Sequence, residues 1–286
     1  MECPLLVWML SCNREMTPDE YDRCYRTMQT CVPHANVEYA PQSIDSCAKM
    51  VSYMLPLLMM RHRRIPRSKW RDNITSHGKR WIEQDTDSAM NPTHRLRAMI
   101  GYHLAYDRSL VGMVMTQGRQ REVINIGLGI KLLNPPPVTT AITAYVESQY
   151  HKLTPLEVSF VSPREHAEDV ALRRLLILIA LKSAYLSAIG QPIGFDYSRL
   201  EFDFPNSKAS GDGHDLLGWE FRIWQSNLGV IRGGTRVDET YQCACAFFRG
   251  TEDTKFIWQK EAKELESWVQ FLNIDQLINV LPKLTD

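Results

Sequence analysis

Apolar residues recur along this chain at two different spacings, and each spacing predicts a different element. Residues 5–10, LLVWML, form an unbroken apolar run of strand length. Residues 97–116 read as paired strands with LVGMVM at 110–115 as the buried one, and 123–133 supply a further apolar strand. Helices come from steps of three and four. Thr17-Pro-Asp-Glu20 has the pattern of a capping box opening a first helix, a second covers 44–62, and a third covers 164–189. Residues 70–80 are turn-rich around Gly78, and 159–163 read as a short turn. Strands are predicted near 200–204, 219–225 and 241–248, with SKASGDGHD at 207–215 as a loop. From 253 to 284, Phe256, Ile257, Leu265, Trp268, Val269 and Leu272 recur at helical steps, which predicts a C-terminal helical segment. Within the third helix, IALKSAYLSAIG at 179–190 reads as a buried face that nevertheless carries Lys182, Ser183 and Ser187 in two turns.

Asn134 followed by three prolines interrupts this series, because proline has no amide hydrogen and restrains the residue before it. The expected organisation is a first lobe over 1–133, a second over 138–250 and an extension over 251–286.

Charge narrows the partners. Lysine plus arginine equal aspartate plus glutamate, 33 against 33, so no long-range field draws nucleic acid or an acidic membrane surface. Seven cysteines at 3, 12, 24, 31, 47, 243 and 245 lack CxxC pairs, which predicts reduced thiols and a cytoplasmic setting. The apolar runs at 54–60 and 175–181 are too short for a bilayer. PLLVWML at 4–10 lacks a basic lead-in and reads as a first strand, not a signal peptide.

Generic motifs say little. Gly127-Leu-Gly129 lacks the third glycine of a dinucleotide fingerprint and reads as a strand kink. Asp212, His214 and Asp215 are metal-capable but lie among ordinary turn formers. Cys243 and Cys245 share one face of a strand, where they pack as small hydrophobes. GxSxG, P-loop and HExxH patterns do not occur, which removes the common hydrolase and NTPase classes.

Six segments read in order are more specific: Gly78-Lys79, YHLAYDRSLVGMV at 102–114, IGLGI at 126–130, FVSPRE at 160–165, IALKSAYLSAIG at 179–190 and LEFD at 200–203. Together they resemble a 4'-phosphopantetheinyl transferase of the eukaryotic, two-lobed kind. The resemblance implies an α+β fold of two similar lobes related by a pseudo-twofold, with coenzyme A and magnesium between them. The working positions depart from the family. Its Gly-(Ile or Val)-Asp, whose aspartate binds magnesium, is matched here at Gly129. Its Trp-x-x-Lys-Glu-(Ala or Ser)-x-x-Lys helix is matched by Ile179, Lys182, Ser183 and Ser187, so one lysine remains. Its Asn-Val-Ser-His becomes His103-Leu-Ala-Tyr106, its Gly-Lys-Pro becomes Gly78-Lys79-Arg80, and an arginine that starts the N-lobe helix is replaced near Ile44.

Magnesium takes hard oxygen ligands and sits with phosphates and one or two carboxylates. Glycine and serine at those positions therefore predict a protein with no metal and no cofactor. A less charged, more apolar site suits a hydrophobic small molecule. The expected function is a metal-independent cyclase, Diels–Alder chemistry included, in fungal natural-product biosynthesis, because holding reactive conformers and aiming a few donors lowers barriers. His103, Tyr106, Lys182 and Ser183 are the candidate catalytic donors, with Lys79, Asp107, Gly129, Ile179, Tyr185 and Ser187 lining the substrate. Each has a plainer alternative as a packed or satisfied structural residue. Two other functions stay open: a pseudoenzyme that binds a carrier protein or another partner, and an atypical active transferase.

Overall fold

The computed structural model describes residues 4–84, 99–118, 123–134, 140–191 and 194–285; the proline run at 135–137 lies outside them. The chain divides into two compact units, Met1–Ile124 with Asn227–Glu239 and Ala262–Asp286, and Asn125–Ser226 with Thr240–Glu261. The strand after residue 125 thus belongs to the second unit, and the C-terminal segment is shared, up to Glu261 with the second unit and from Ala262 with the first.

In the first unit, strands β1 (Leu5–Ser11), β2 (Trp70–Ile74), β3 (Arg80–Gln84), β4 (Met99–Asp107), β5 (Leu110–Gly118) and β13 (Val269–Asn273), numbered along the whole chain, form one sheet in the order β13-β1-β5-β4-β3-β2. Helices α1 (Pro18–Cys31) and α2 (Ile44–His62) share its core, where Leu10, Met28, Met54, Val111 and Met113 are all buried. The capping box forms as expected: the Glu20 amide donates to Thr17 Oγ1 at 3.3 Å and the Thr17 amide to Glu20 Oε2 at 2.9 Å.

The C-terminal segment is where pattern and structure part. Instead of one helix it makes β12 (Lys255–Trp258), α6 (Ala262–Leu265), β13 and α7 (Ile274–Val280). The apolar residues that look helical serve two strands. β13 runs parallel to β1 with Val7 opposite Val269 and Ser11 opposite Asn273. An edge of β1 left unpaired would expose a row of amide and carbonyl groups, and satisfying them outweighs a marginal local helix preference. Arg14 ties the end of the chain down, donating to Asp275 at 2.8 Å and pairing with Glu20 at 2.8 Å.

The second unit contains the sheet β12-β10-β11-β6, with β6 (Ile126–Leu132), β10 (Trp219–Arg232) and β11 (Thr235–Phe248); residues 227–239 of the last two count with the first unit. A three-stranded sheet, β7 (Leu200–Asp203), β8 (Lys208–Gly211) and β9 (His214–Asp215), occupies the segment expected as a loop. Gly211 pairs with His214, and Asp212 and Gly213 between them both have positive φ, 52° and 78°. Asp-Gly is the sequence a two-residue hairpin turn requires, so the polar composition signals a hairpin here. Helices α3 (Ile142–Ser148) and α4 (Pro155–Val161) precede the long helix α5 (Glu168–Ile189). α4 takes up most of the expected 159–163 turn, because Thr154 and Glu157 make a second capping box.

α5 lies directly on β6. A Cβ added at Gly127 would stand 2.7 Å from the Ala188 nitrogen, and one at Gly129 would stand 2.8 Å from the Ala180 carbonyl carbon, with the carbonyl oxygen nearer still. Glycine on the strand and alanine at 180, 184 and 188 on the helix let the two backbones meet. Gly129→Ala should accordingly cost about 1–3 kcal/mol through overpacking, read as a lower denaturant midpoint with unchanged slope; full stability in this variant would mean that the helix rides higher than described.

Candidate functional site

α5 carries most of the residues singled out in the second unit, and the first of them is committed to the interior. Lys182 is fully buried. Its Nζ donates to Glu157 Oε2 at 2.5 Å and to the carbonyls of Lys152 and Tyr197, each at 2.9 Å. An ammonium has three N–H donors, and all three are used. Glu157 is equally occupied, since its Oε1 accepts from the Phe202 amide at 2.9 Å and its Oε2 from the Thr154 amide at 2.9 Å. Burial pushes the Glu157 carboxyl up and the Lys182 ammonium down, and each partner's charge opposes the shift. The pair holds α5, α4 and the start of β7 together. The donor role expected for Lys182 is therefore not met by its geometry.

Ile179, Ser183 and Ser187 stand four apart on α5 and so share one face. Ile179 is buried, whereas Ser183 and Ser187 are partly exposed. Ser183 Oγ lies 3.1 Å from the Tyr197 hydroxyl, and Tyr197 is partly exposed as well. Tyr185 sits in an aromatic cluster, its ring edge-on to Trp219 at 4.8 Å and tilted against Phe221, which makes it a core residue and not a substrate contact. Gly129 is likewise closed off, because α5 covers the space a side chain would need.

The same face of β6 continues to Lys131, two residues on, where burial gives way to partial exposure. The position that the resemblance matches to the family's aspartate is Gly129, and the first side chain beyond the covered stretch on that face is the Lys131 ammonium. Lys152, between α3 and α4, has its pKa lowered by burial and then by the positive charge of Lys131. The partly exposed groups near α5 thus include two ammoniums and two hydroxyls, with the Glu201 carboxylate also close to Lys182. No sequence motif pointed to Lys131, Lys152 or Tyr197. Glu157 was missed as well, although the Thr154-Pro-Leu-Glu157 spacing is a capping-box signal that could have found it; its pairing with Lys182 has no such signal.

In the first unit, His103, Tyr106 and Asp107 lie on β4, and Lys79 immediately precedes β3. The His103 pKa is lowered to about 4, by burial first and by the charge of Arg80 second, so the ring is neutral near pH 7. Tyr106 is exposed at 38%, and Asp107 is partly exposed. Burial lowers the Lys79 pKa. Beside them is a polar cluster that the sequence did not announce. Tyr102 donates to Asp72 Oδ1 at 2.5 Å, His34 Nε2 lies 3.3 Å from Asp72 Oδ2, and Arg80 Nη1 lies 3.8 Å from the same oxygen. The Arg80 guanidinium also stands over the Tyr53 ring at 5.1 Å. Cross-strand register explains the cluster, since Arg80 faces Tyr102 and Asp72 is on the adjoining strand opposite Ile82.

Among the described residues, no group of three or more histidine, cysteine, aspartate or glutamate side chains is placed to hold a metal ion. Asp212 is engaged by Arg199 through two bonds of 2.7 Å. No described helix is long and apolar enough to cross a membrane.

No protein-family profile matches the chain. A curated relative, the 4'-phosphopantetheinyl transferase pptA of Paxillus involutus, a fungus, is 28% identical over 186 residues, which is 63% of this chain and 66% of the relative. The chain thus covers just under two thirds of that protein's length. This distant homology supports membership of the 4'-phosphopantetheinyl transferase superfamily, and the mixed α and β architecture is compatible with that fold.

Lys182→Met should destabilise the protein by about 3–5 kcal/mol, because it strands a buried carboxylate. Glu157→Gln in the same chain should recover more than half of that loss while keeping an acceptor for the Phe202 amide. Chemical denaturation of the two variants checks this, and equal losses in both would show that the charge pair is not what the lysine provides.

Proposed function

We propose that this protein is a phosphopantetheinyl-transferase-fold binding protein that engages a phosphopantetheinyl group, or the carrier protein bearing one, without a divalent ion. The observation that carries this reading is the set of groups near α5, Lys131 and Lys152 with the Ser183 and Tyr197 hydroxyls, while Gly129 and Ser183 occupy the positions where the family resemblance implies carboxylates. Magnesium does not fit such donors, since it takes hard anionic oxygens and is repelled by ammonium. A phosphate fits them well, because fixed cations and hydroxyl donors answer its charge directly. Organisation as two similar lobes belongs to this proposal too, supported by the way each unit sets one long helix, α2 or α5, on a mainly antiparallel sheet.

The test is to incubate the full chain with coenzyme A, magnesium and an apo carrier protein and to weigh the carrier, alongside calorimetric binding of coenzyme A with a chelator present. The expected results are an unchanged carrier mass, binding that the chelator does not weaken, and a loss of affinity of about tenfold in Lys131→Ala, roughly one charge-assisted contact. A carrier heavier by one phosphopantetheine arm would overturn the proposal in favour of an active transferase.

Cyclisation of a hydrophobic small molecule, Diels–Alder chemistry included, is a second reading favoured by one feature. Ser183 and Tyr197 form a partly exposed hydroxyl pair, in which one hydroxyl bonds the other and leaves an O–H to polarise a carbonyl. Such a catalyst should convert a linear diene–dienophile probe carrying one carbonyl into a product of equal mass and different retention, and Tyr197→Phe should abolish the gain. Conversion no faster than in buffer would remove this reading.

A further inference from the structure

The first unit holds a second polar feature that neither the homology nor the proposed binding role uses. β1 ends at Ser11, and Cys12 follows it, buried and anchored by its amide to the Ser109 carbonyl at 2.7 Å. Cys47 lies in the first turns of α2, with its amide bonded to the Ser43 carbonyl at 3.0 Å. Cys47 packs against the same buried cluster that contains Cys12. Both line a pocket of about 190 Å³ whose rim includes Arg14, Met16, Ser43 and Arg232. Cys47 is partly exposed there, while Cys12 closes the inner wall. Arg232 is fixed by its bond to Ser109 Oγ at 2.5 Å.

The geometry points to Cys12 and Cys47 as a reversible dithiol–disulfide pair, with Cys47 the thiol that meets a small hydroperoxide entering the pocket and Cys12 the thiol that resolves it. The Cys47 sulfur attacks one peroxide oxygen, the O–O bond breaks, and the other oxygen leaves as hydroxide that takes a proton to become water. Cys47 is then a sulfenic acid. The Cys12 sulfur displaces its hydroxyl, a second water leaves, and the S–S bond forms, so that two thiols are oxidised by two electrons and one hydroperoxide is reduced.

The surroundings agree with this division of roles. The Cys47 pKa is lowered, by its neighbour Cys12 first and, against the effect of burial, by the positive charge of Arg232, whereas that of Cys12 is raised by Cys47 and by burial. Cys24, close behind, is held up at about 12 by burial, and Cys245 in the second unit likewise, so neither competes as a thiolate. Closing the bond would tie the end of β1 to the start of α2 and restrict the unfolded chain, which raises the melting temperature.

The test treats the reduced full chain with one equivalent of hydrogen peroxide, blocks remaining thiols, digests without reductant and maps the peptides by mass. The expected result is a Cys12–Cys47 linked pair lighter by two hydrogens, formed before Cys24, Cys31, Cys243 or Cys245 changes, with a melting temperature that rises and returns on adding dithiothreitol. In Cys12→Ser, Cys47 should be trapped as a sulfenic acid by a 1,3-diketone; in Cys47→Ser, Cys12 should remain a thiol. Oxidation of the other cysteines at the same rate, or loss of the Cys47 thiol with no link to Cys12, would overturn the assignment.

Discussion

The close approach of α5 to β6 is the contact on which the second unit depends. Two glycines on the strand and three alanines on the helix remove the side chains that would hold the backbones apart. Packing at that distance maximises dispersion contacts and excludes water from both surfaces. It also limits chemistry. At Gly129 no side chain of any kind fits while the helix stays where it is, so a functional group on that face of β6 has to come from Lys131, beyond the covered stretch.

A second consequence concerns the buried charge pair. α5 is apolar nearly all round, and a helix of that kind can settle in several rotations about its axis. Lys182 and Glu157 remove that freedom, because only one rotation brings the ammonium to a carboxylate and two carbonyls at once. Burying the charges is costly, and replacing them together costs less than breaking them singly. Their value is in fixing which face of α5 looks outward, and that face carries Ser183 and Ser187.

The partly exposed groups in the second unit include the Lys131 and Lys152 ammoniums and the Ser183 and Tyr197 hydroxyls, beside the carboxylates of Glu201 and Asp203 on β7. The buried groups near His103 in the first unit form a mixed cluster around Asp72 that is satisfied internally. The Lys131 and Lys152 ammoniums give an anion a positive charge to meet, while the carboxylates of Glu201 and Asp196 lie near Lys182 on α5. The proposed binding role follows from that sign of charge, and the Cys12–Cys47 pair, remote from it in sequence, asks for a separate explanation.

Local pattern was enough for the elements whose preference and surroundings agree. The Thr17 capping box, the buried runs in β1 and β5, the helix over 44–62 and the apolar α5 were all legible, as was a likeness to the transferase superfamily that the distant homology supports. What pattern could not decide was which partner each residue meets. Lys182 looks in sequence like a donor for substrate, and only the arrival of Glu157 and two carbonyls from other segments makes it a structural residue. Helical spacing at 256–272 is real, yet the open edge of β1 recruits part of it as a strand, since backbone groups of a sheet edge must be paired and a short isolated helix is weak. The sequence by itself determined the capped and strongly apolar elements and the family likeness, because these rest on spacing between near neighbours. Tertiary structure alone decided register, burial and charge pairing, because those energies belong to contacts between residues far apart in the chain.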